Sequence, residues 1–380
     1  PMGGFQGAFA SLDAPTLGGH AIRAALVAAG AAAGQVSELV MGSVLSAGQG
    51  QAPARQAGFH AGLGADVPAS TINKMCGSGM KAVMMACDQL HADPGALIVA
   101  GGMESMTNAP YLLPKLRGGA RLGHAQALDH MVLDGLEDAY DRGRLMGAFA
   151  EDCAASFGFS RADQDAYALA SLTRALRAQA EGAFAAEIAP VPVEGRKGVT
   201  LIAEDEQPTQ ARPEKIPLLR PAFRADGTVT AANSSSISDG AAALVVVRRT
   251  TAERLGLTIR ARILGHANHA LTPADFPTAP VPAAEKLLAR LSMAADDIDL
   301  WEVNEAFAVV PMAFMQRLSV AHERLNVNGG ACALGHPIGA SGARILVSLL
   351  HALERRGLRR GLAAICIGGG EGTAMAIERV

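Results

Sequence analysis

Aromatic side chains are scarce in this chain: at 4% of 380 residues against 49% hydrophobic residues overall, the core has to be packed from Ala, Val, Leu and Met. Cysteine is scarce as well. Cys76, Cys87, Cys153, Cys332 and Cys366 form no CxxC pair and no zinc-ligand spacing. That excludes a legible metal motif and a disulfide framework, and an odd, sparse set suggests reduced thiols in a cytosol-like compartment. Long apolar runs are missing: no stretch of about 18 uninterrupted apolar residues occurs, so no membrane-spanning helix is expected. Nor does one charge sign dominate. The 33 basic and 36 acidic residues are interspersed, without the basic stripe of a nucleic-acid binder. The chain begins "PMGGFQGAFA", without an initiator Met and inside what reads as a loop, which leaves a removed leader open.

What is abundant is glycine, 43 residues of it, which points to tight turns and close backbone approaches. The length allows two or three domain-sized units. Short apolar strands alternate with Ala-rich helices, the pattern of an α/β fold with largely buried parallel strands. Strands are expected at 38–45, 96–102, 241–247, 299–306 and 363–369, and helices at 16–30, 78–91, 163–181, 283–291 and 341–354. The chain also looks duplicated. "GALIVAGGMESM" resembles "GLAAICIGGGEGTAM", and the "CGSGMKAV" turn pairs with "GHPIGASGARIL", at a nearly constant separation along the chain. Between the two halves, about 107 to 235, lies a more charged stretch with Pro and Gly punctuation and one amphipathic helix. We read residues 1–106 plus 236–257 as one core half, 258–380 as the other, and 107–235 as an excursion covering one face.

Three places carry chemistry. In "TINKMCGSGMKAV", Cys76 precedes a helix start, where the dipole and free N–H groups are expected to lower its pKa toward thiolate. Gly77 and Gly79 clear room for a substrate carbonyl. The competing reading is a buried structural cysteine, and the motif alone does not separate the two. Cys87 falls on the apolar stripe of the following helix and reads as core; Cys153 and Cys332 have no special context. His336 sits in the glycine-dense turn "ALGHPIGASG", where a neutral imidazole can take a thiol proton. That string is neither a Walker loop nor a GxGxxG fingerprint. Cys366 ends a strand in "ICIGGGEG" and can serve as acid or base if its neighbours bring its pKa nearer neutrality. Asn304 and Glu305, in "WEVNEAFA", read as strand-end caps or as site groups, with the site reading favoured.

Taken together, "NKMCGSGMKA", "GGMESM", "NEAFA", "GGACALGHPIGASGARI" and "CIGGGEG" resemble, in order and spacing, the signature segments of the thiolase family, over essentially the whole chain. The resemblance implies a five-layered αβαβα fold of two duplicated halves with an inserted loop domain. It implies an acyl-cysteine ping-pong mechanism for condensing two acetyl-CoA to acetoacetyl-CoA, or for thiolysis of short 3-ketoacyl-CoA. Cys76 would be the nucleophile, His336 its activator, and Cys366 the group that moves the α-proton. One oxyanion hole would use the N–H groups of Cys76 and Gly368, the other His336 with a water held by Asn304. Ser235 matches the position that contacts pantetheine; Met146, Phe223, Ala306 and Phe307 match acyl-pocket positions. Because coenzyme A is anionic, Arg212, Lys215, Arg220 and Arg224 are candidates for its phosphates.

The expected partners are acyl-CoA, coenzyme A and further copies of this chain, as a dimer or, favoured by the segment 117–130, a tetramer. No nucleic acid, membrane, metal or cofactor beyond the CoA substrates is expected, and the compartment implied is the cytoplasm. Two departures stand out. The family begins with a β-strand that this chain starts after. And Leu145 occupies the place, just before Met146-Gly147, where the acetoacetyl-specific branch has a histidine, which loosens the expected chain length. A decarboxylating ketoacyl synthase would carry a histidine at position 304 and lack Cys366, and a non-enzymatic acyl carrier on this fold would tolerate losing Cys76 or His336. All four residues are present.

Overall fold

In the computed structural model, which describes all 380 residues, two sheets repeat one plan. The first runs Gly3–Gly4, Ser238–Val247, Leu97–Ser105, Glu38–Gly42, Ala69–Ile72; the second runs Ala261–Ala270, Glu371–Arg379, Arg360–Ile367, Leu300–Val303. In both, the first two pairings are antiparallel and the next is parallel, and the first sheet adds Ala69–Ile72 in parallel beyond it. The duplication read from the sequence is therefore present in strand order and strand sense. The expectation of largely parallel sheets is corrected: each sheet is mixed. Continuous apolar runs report burial on both faces, and helices cover both faces here whichever way the neighbouring strand runs.

The layers follow from alternation along the strands. Leu39, Met41, Leu97 and Val99 face outward onto helices Ala14–Ala29 and Pro53–Ala61. Val40, Ile98 and Ala100 face inward, where helices Ser78–Ala92 and Ile338–Arg356 lie between the sheets with Ala363, Ile365 and Met375 on their other side. Leu362, Ala364 and Ala376 face outward again, onto Pro280–Leu291 and Val309–Leu318. The result is five layers, αβαβα. The two central helices touch through glycine. A Cβ on Gly79 would lie 2.7 Å from the Ala343 nitrogen, and one on Gly342 2.5 Å from the Met80 nitrogen. Only hydrogen at both positions lets the helices approach this closely, and their N-termini are the ends that carry Cys76 and His336.

The excursion leaves between Leu97–Ser105 and Ser238–Val247, where the second sheet joins the equivalent strands by the short turn Gly368, Gly369, Gly370. It contains helices Met146–Phe157 and Arg161–Ala180. The second starts two residues earlier than expected because Ser160 and Asp163 form a reciprocal cap: the Ser160 N–H donates to the Asp163 carboxylate at 2.9 Å, and the Asp163 N–H donates to the Ser160 hydroxyl at 3.2 Å. At the outer edge of the first sheet, the expected missing strand is corrected in part, since Gly3–Gly4 pairs with Asp239 and Ser238. Beyond it, Ala241 to Val247 line a groove of about 680 Å³ against Ala14–Ala29 and the central helices. That groove includes none of the candidate catalytic residues, so the site has to be found from the side chains themselves.

Candidate active site

Cys76 lies just before its helix, in a turn that the sequence builds with short side chains. Met75 holds a left-handed backbone, φ 46°, a conformation with no glycine to relax it. Ser78 fastens the turn: its hydroxyl donates to the Met75 carbonyl at 2.7 Å and accepts from the Lys74 N–H at 2.8 Å. Gly77 lets the turn close on the strand carrying Cys366, for a Cβ there would stand 2.5 Å from Ile367 Cδ1. The Gly368 N–H and the N–H of Cys76 itself are the two groups that favour the Cys76 thiolate.

The electrostatics reverse the expectation of a lowered thiol pKa. Burial pushes Cys76 up to about 11, the two N–H groups pull it back only partly, and the Glu104 carboxylate pushes it further up. Cys366, fully buried, is likewise raised well above its ordinary value, by burial and then by the neighbouring Cys76. Both rest as neutral thiols, so neither has been brought nearer neutrality. Two N–H groups do not outweigh the cost of burying an anion among apolar side chains.

His336 is fixed by its loop. Its N–H points to the Ser236 carbonyl at 3.2 Å and the Ser238 hydroxyl at 3.1 Å, and its ring Nδ1 lies 2.6 Å from Ser341 Oγ. Burial, and then the Arg344 charge, hold its pKa down to about 3, so the imidazole is neutral. Nε2 has no protein partner. Asn304 is fully buried and neither its Oδ1 nor its Nδ2 has a protein partner. Buried polar atoms are nearly always paired, so these three are free to meet a polar ligand. Glu305 is not among them. It accepts from Tyr167 Oη at 2.9 Å, Ser171 Oγ at 2.7 Å, Asn326 Nδ2 at 2.8 Å and the Cys332 N–H at 3.0 Å, a tie that fixes the segment leading to His336. The site reading of Glu305 is therefore corrected to a structural one.

An apolar wall adjoins the thiols. A Cβ on Gly368 would stand 3.5 Å from Met146 Sδ. Phe223 packs directly on Gly147 and meets Phe307 edge-on at 6.0 Å between ring centres. The Ser235 N–H donates to the Ala306 carbonyl at 2.9 Å, which puts Ser235 at the rim of the same wall. The structure thus brings Cys76, His336, Cys366, Gly368, Met146, Phe223, Ala306, Phe307 and Ser235 into one connected region.

Comparison with known proteins falls on the whole chain. Residues 1–250 match the family "Thiolase, N-terminal domain" and residues 257–379 match "Thiolase, C-terminal domain". The chain belongs to the thiolase family. It is 48% identical over 380 residues to the acetyl-CoA acetyltransferase of Cupriavidus necator, covering 100% of this chain and 96% of that one. Among solved structures it resembles the acetyl-CoA acetyltransferase of Bacillus anthracis (TM-score 0.96, 38% identity, 100% of this chain and 96% of that one). It also resembles the Acat5 thiolase of Ascaris suum in complex with coenzyme A (TM-score 0.94, 40% identity, 100% and 97%).

In this thiolase the basic candidates divide. Arg212, Lys215 and Arg220 are exposed and make no ion pair, whereas Arg224 pairs with Asp152, which Arg144 binds as well. Leu145 is exposed at the first turn of Met146–Phe157. Cys87, read as core, is half-buried and lines the groove at the sheet edge; Cys153 is buried in the core, as expected of a residue without special context. No helix is long and apolar enough to cross a membrane. Two supporting residues went unread in the sequence. Glu104, inside the "GGMESM" segment, accepts the N–H groups of Val44 at 3.0 Å, Leu45 at 3.1 Å and Gly339 at 2.9 Å, tying the His336 turn to the first half. A lone carboxylate in an otherwise apolar strand was the signal. Ser341 gave none, since nothing in "GASGA" separates a ring partner from a helix-start serine.

Proposed function

We propose that this thiolase is an acyltransferase that interconverts two acetyl-CoA with acetoacetyl-CoA and coenzyme A through an acyl-Cys76 intermediate. The observation that carries this reading is that a neutral thiol, favoured toward thiolate by the N–H groups of Cys76 and Gly368, and a neutral imidazole whose Nε2 is unpartnered stand at the starts of the two central helices that touch through Gly79 and Gly342. The names of the Cupriavidus and Bacillus relatives support it. In the thiolytic direction, the Cys76 sulfur attacks the 3-keto carbon as its proton passes to His336. The resulting oxyanion takes the N–H groups of Cys76 and Gly368. The C2–C3 bond breaks, its electron pair becomes a thioester enolate facing His336 and Asn304 (which we read as holding a water), and C2 takes the proton of the Cys366 thiol. The His336 proton then restores Cys366. Coenzyme A attacks acyl-Cys76, and its thiol proton returns by way of His336 to Cys76. Condensation is the same sequence reversed, and neither direction calls for a cofactor. A thiol with a strongly raised pKa suits Cys366, because its thiolate is a strong base and an α-proton is weakly acidic.

Incubation with acetyl-CoA should place one acetyl group on the Cys76 peptide, and stable acylation only at another cysteine would sink the assignment. Cys366→Ala should still acquire acetyl on Cys76 but fail to condense it, whereas Cys76→Ala should lose both half-reactions. Within this reading Ser235 meets the pantetheine arm, and Arg212, Lys215 and Arg220 meet the phosphates. Arg224, committed to Asp152, holds the Phe223 segment more than it meets ligand. We place the protein in the cytoplasm, in keeping with five free cysteines. Residues 1–106 with 236–257 form the nucleophile half, 107–235 the CoA-binding excursion, and 258–380 the acid–base half. A second reading, a thiolase of broader 3-ketoacyl range, is favoured by Leu145.

A further inference from the structure

We propose that Ser341 is a positioning residue that fixes His336 in a single tautomer, with Nδ1 protonated and Nε2 bare, so that the ring meets the Cys76 thiol as an acceptor. The inference rests on the reading of His336 as the proton acceptor. Ser341 is fully buried in the first turn of Ile338–Arg356. Its hydroxyl owns one hydrogen and lies within bonding distance of two atoms: the Pro337 carbonyl at 2.9 Å and His336 Nδ1 at 2.6 Å. A carbonyl oxygen can only accept. We assign the hydroxyl hydrogen to Pro337, the usual bond of a helical serine to the carbonyl four residues back, beside the Ala340 and Ser341 N–H groups that the same carbonyl accepts at 2.9 and 3.0 Å. The hydrogen at 2.6 Å must then come from Nδ1. The opposite assignment would leave two oxygens 2.9 Å apart with no hydrogen between them, and would aim an Nε2–H into the site. A neutral imidazole has one N–H to place, so this choice decides whether the unpartnered Nε2 accepts or donates.

The rest of the surroundings fix the loop and leave the tautomer to Ser341. Gly335 precedes the histidine with φ 104°, and the His336 backbone N–H is taken by Ser236 and Ser238. Among the protein's hydrogen bonds, Ser341 supplies the ring its only partner. Removing the hydroxyl would strand a buried Nδ1–H, and the other tautomer, useless for taking the thiol proton, would become available to relieve it.

The decisive measurement is the ring nitrogen spectrum of protein labelled with ¹⁵N-histidine, at neutral pH, with His336→Asn used to assign the His336 signals. A non-protonated Nε2 with a protonated Nδ1 is expected, and a protonated Nε2 overturns the proposal. For Ser341→Ala, the single-turnover rate of Cys76 acetylation should fall roughly 10- to 100-fold, in line with losing a buried hydrogen-bond partner, with the acetyl-CoA concentration for half-saturation little changed. Ser341→Thr, which keeps the hydroxyl, should restore most of the rate. A Ser341→Ala protein that acetylates Cys76 at the wild-type rate contradicts the proposal. Should that variant not fold, the wild-type spectrum alone decides. His336→Ala separates the two readings: if it acetylates Cys76 normally, the acceptor role fails while the tautomer measurement still stands.

Discussion

At the scale of single residues, the proposed site joins groups whose pKa values have been pushed apart. His336 is depressed to about 3 and Cys76 raised to about 11. An enzyme using an ordinary histidine as base loses activity as that histidine protonates near pH 6.5. Here the neutral form persists far below that, so kcat/KM for a small uncharged acetyl thioester should stay level from about pH 8 down to about pH 5. Burial raises Glu104 to about 7, so the deciding result is an acid limb centred near 6.5 that persists in Glu104→Gln, which would contradict the buried, neutral imidazole. The same depression bears on stability with a definite sign. The folded state declines a proton that the unfolded histidine accepts, so the stability His336 contributes is present above about 6.5 and is lost as pH falls toward 3. Leu145 yields a second prediction at this scale. It stands at the head of the helix whose Met146 lies against Gly368, and it offers an apolar surface where an imidazole would offer a donor. Since one methylene in an apolar pocket is worth about 1–3 kcal/mol, the wild type should accept 3-ketohexanoyl-CoA appreciably beside acetoacetyl-CoA. Leu145→His should move the kcat/KM ratio toward acetoacetyl-CoA, and an unmoved ratio would shift the length limit to Met146 or Phe307. Cys76, His336, Asn304 and Cys366 stand out as candidates in the sequence because each interrupts a glycine-rich turn or ends an apolar strand. Their protonation states do not, because burial depends on neighbours hundreds of residues away in the chain.

At the scale of elements, the contact between Ser78–Ala92 and Ile338–Arg356 decides most, because it sets the two helix starts that flank the site. Gly79→Ala would drive a methyl into the backbone of Ala343, and Gly342→Ala into that of Met80, neither of which can yield as a flexible side chain would. Overpacking of this kind costs about 1–3 kcal/mol, to be read as a lowered urea midpoint, together with slower acetylation of Cys76. Gly34→Ala, which meets open space, should change the midpoint by no more than about 0.5 kcal/mol. If Gly79→Ala behaves like Gly34→Ala, the helix contact is looser than described. This contact shows what the sequence carries at this level. Helices and strands with clean apolar periods, such as Ser78–Ala92 and Arg360–Ile367, could be placed within a few residues. Ala261–Ala270 could not, since "ARILGHANHA" carries two histidines and an asparagine on a half-buried edge strand. Nor could Val309–Leu318, where valines and a proline conceal a helix start. That Gly79 faces Gly342 follows from the fold alone, although the repeat that aligns their turns was visible.

At the scale of the whole molecule, the proposed chemistry is divided between the halves: one brings Cys76, the other His336, Asn304 and Cys366, and Glu104 reaches across to hold the second half's Gly339 N–H. A site assembled from two halves keeps its geometry only while the halves stay docked, and further burial at their outer faces would serve that end. The surface offers two such places. Ala69–Ile72 is the outermost strand of the first sheet, with one side unpaired. The excursion also exposes Tyr111, Leu113, Leu116 and, almost completely, Leu122. Large apolar side chains clustered in one exposed segment call for cover, and stable interfaces of this kind bury about 1,200–2,000 Å². We therefore expect light scattering at micromolar concentration to give a tetramer of the 38.9 kDa chain, built from dimers that meet elsewhere than at this segment. The segment can be shortened without disturbing its base, because Tyr111 pairs with Asp129 and Leu112 with Leu128. Replacing residues 115–126 by a short glycine turn should leave a dimer that still acetylates Cys76. A tetramer that survives the replacement would assign the four-chain contact to another surface, and a wild-type monomer would contradict the dimer as well.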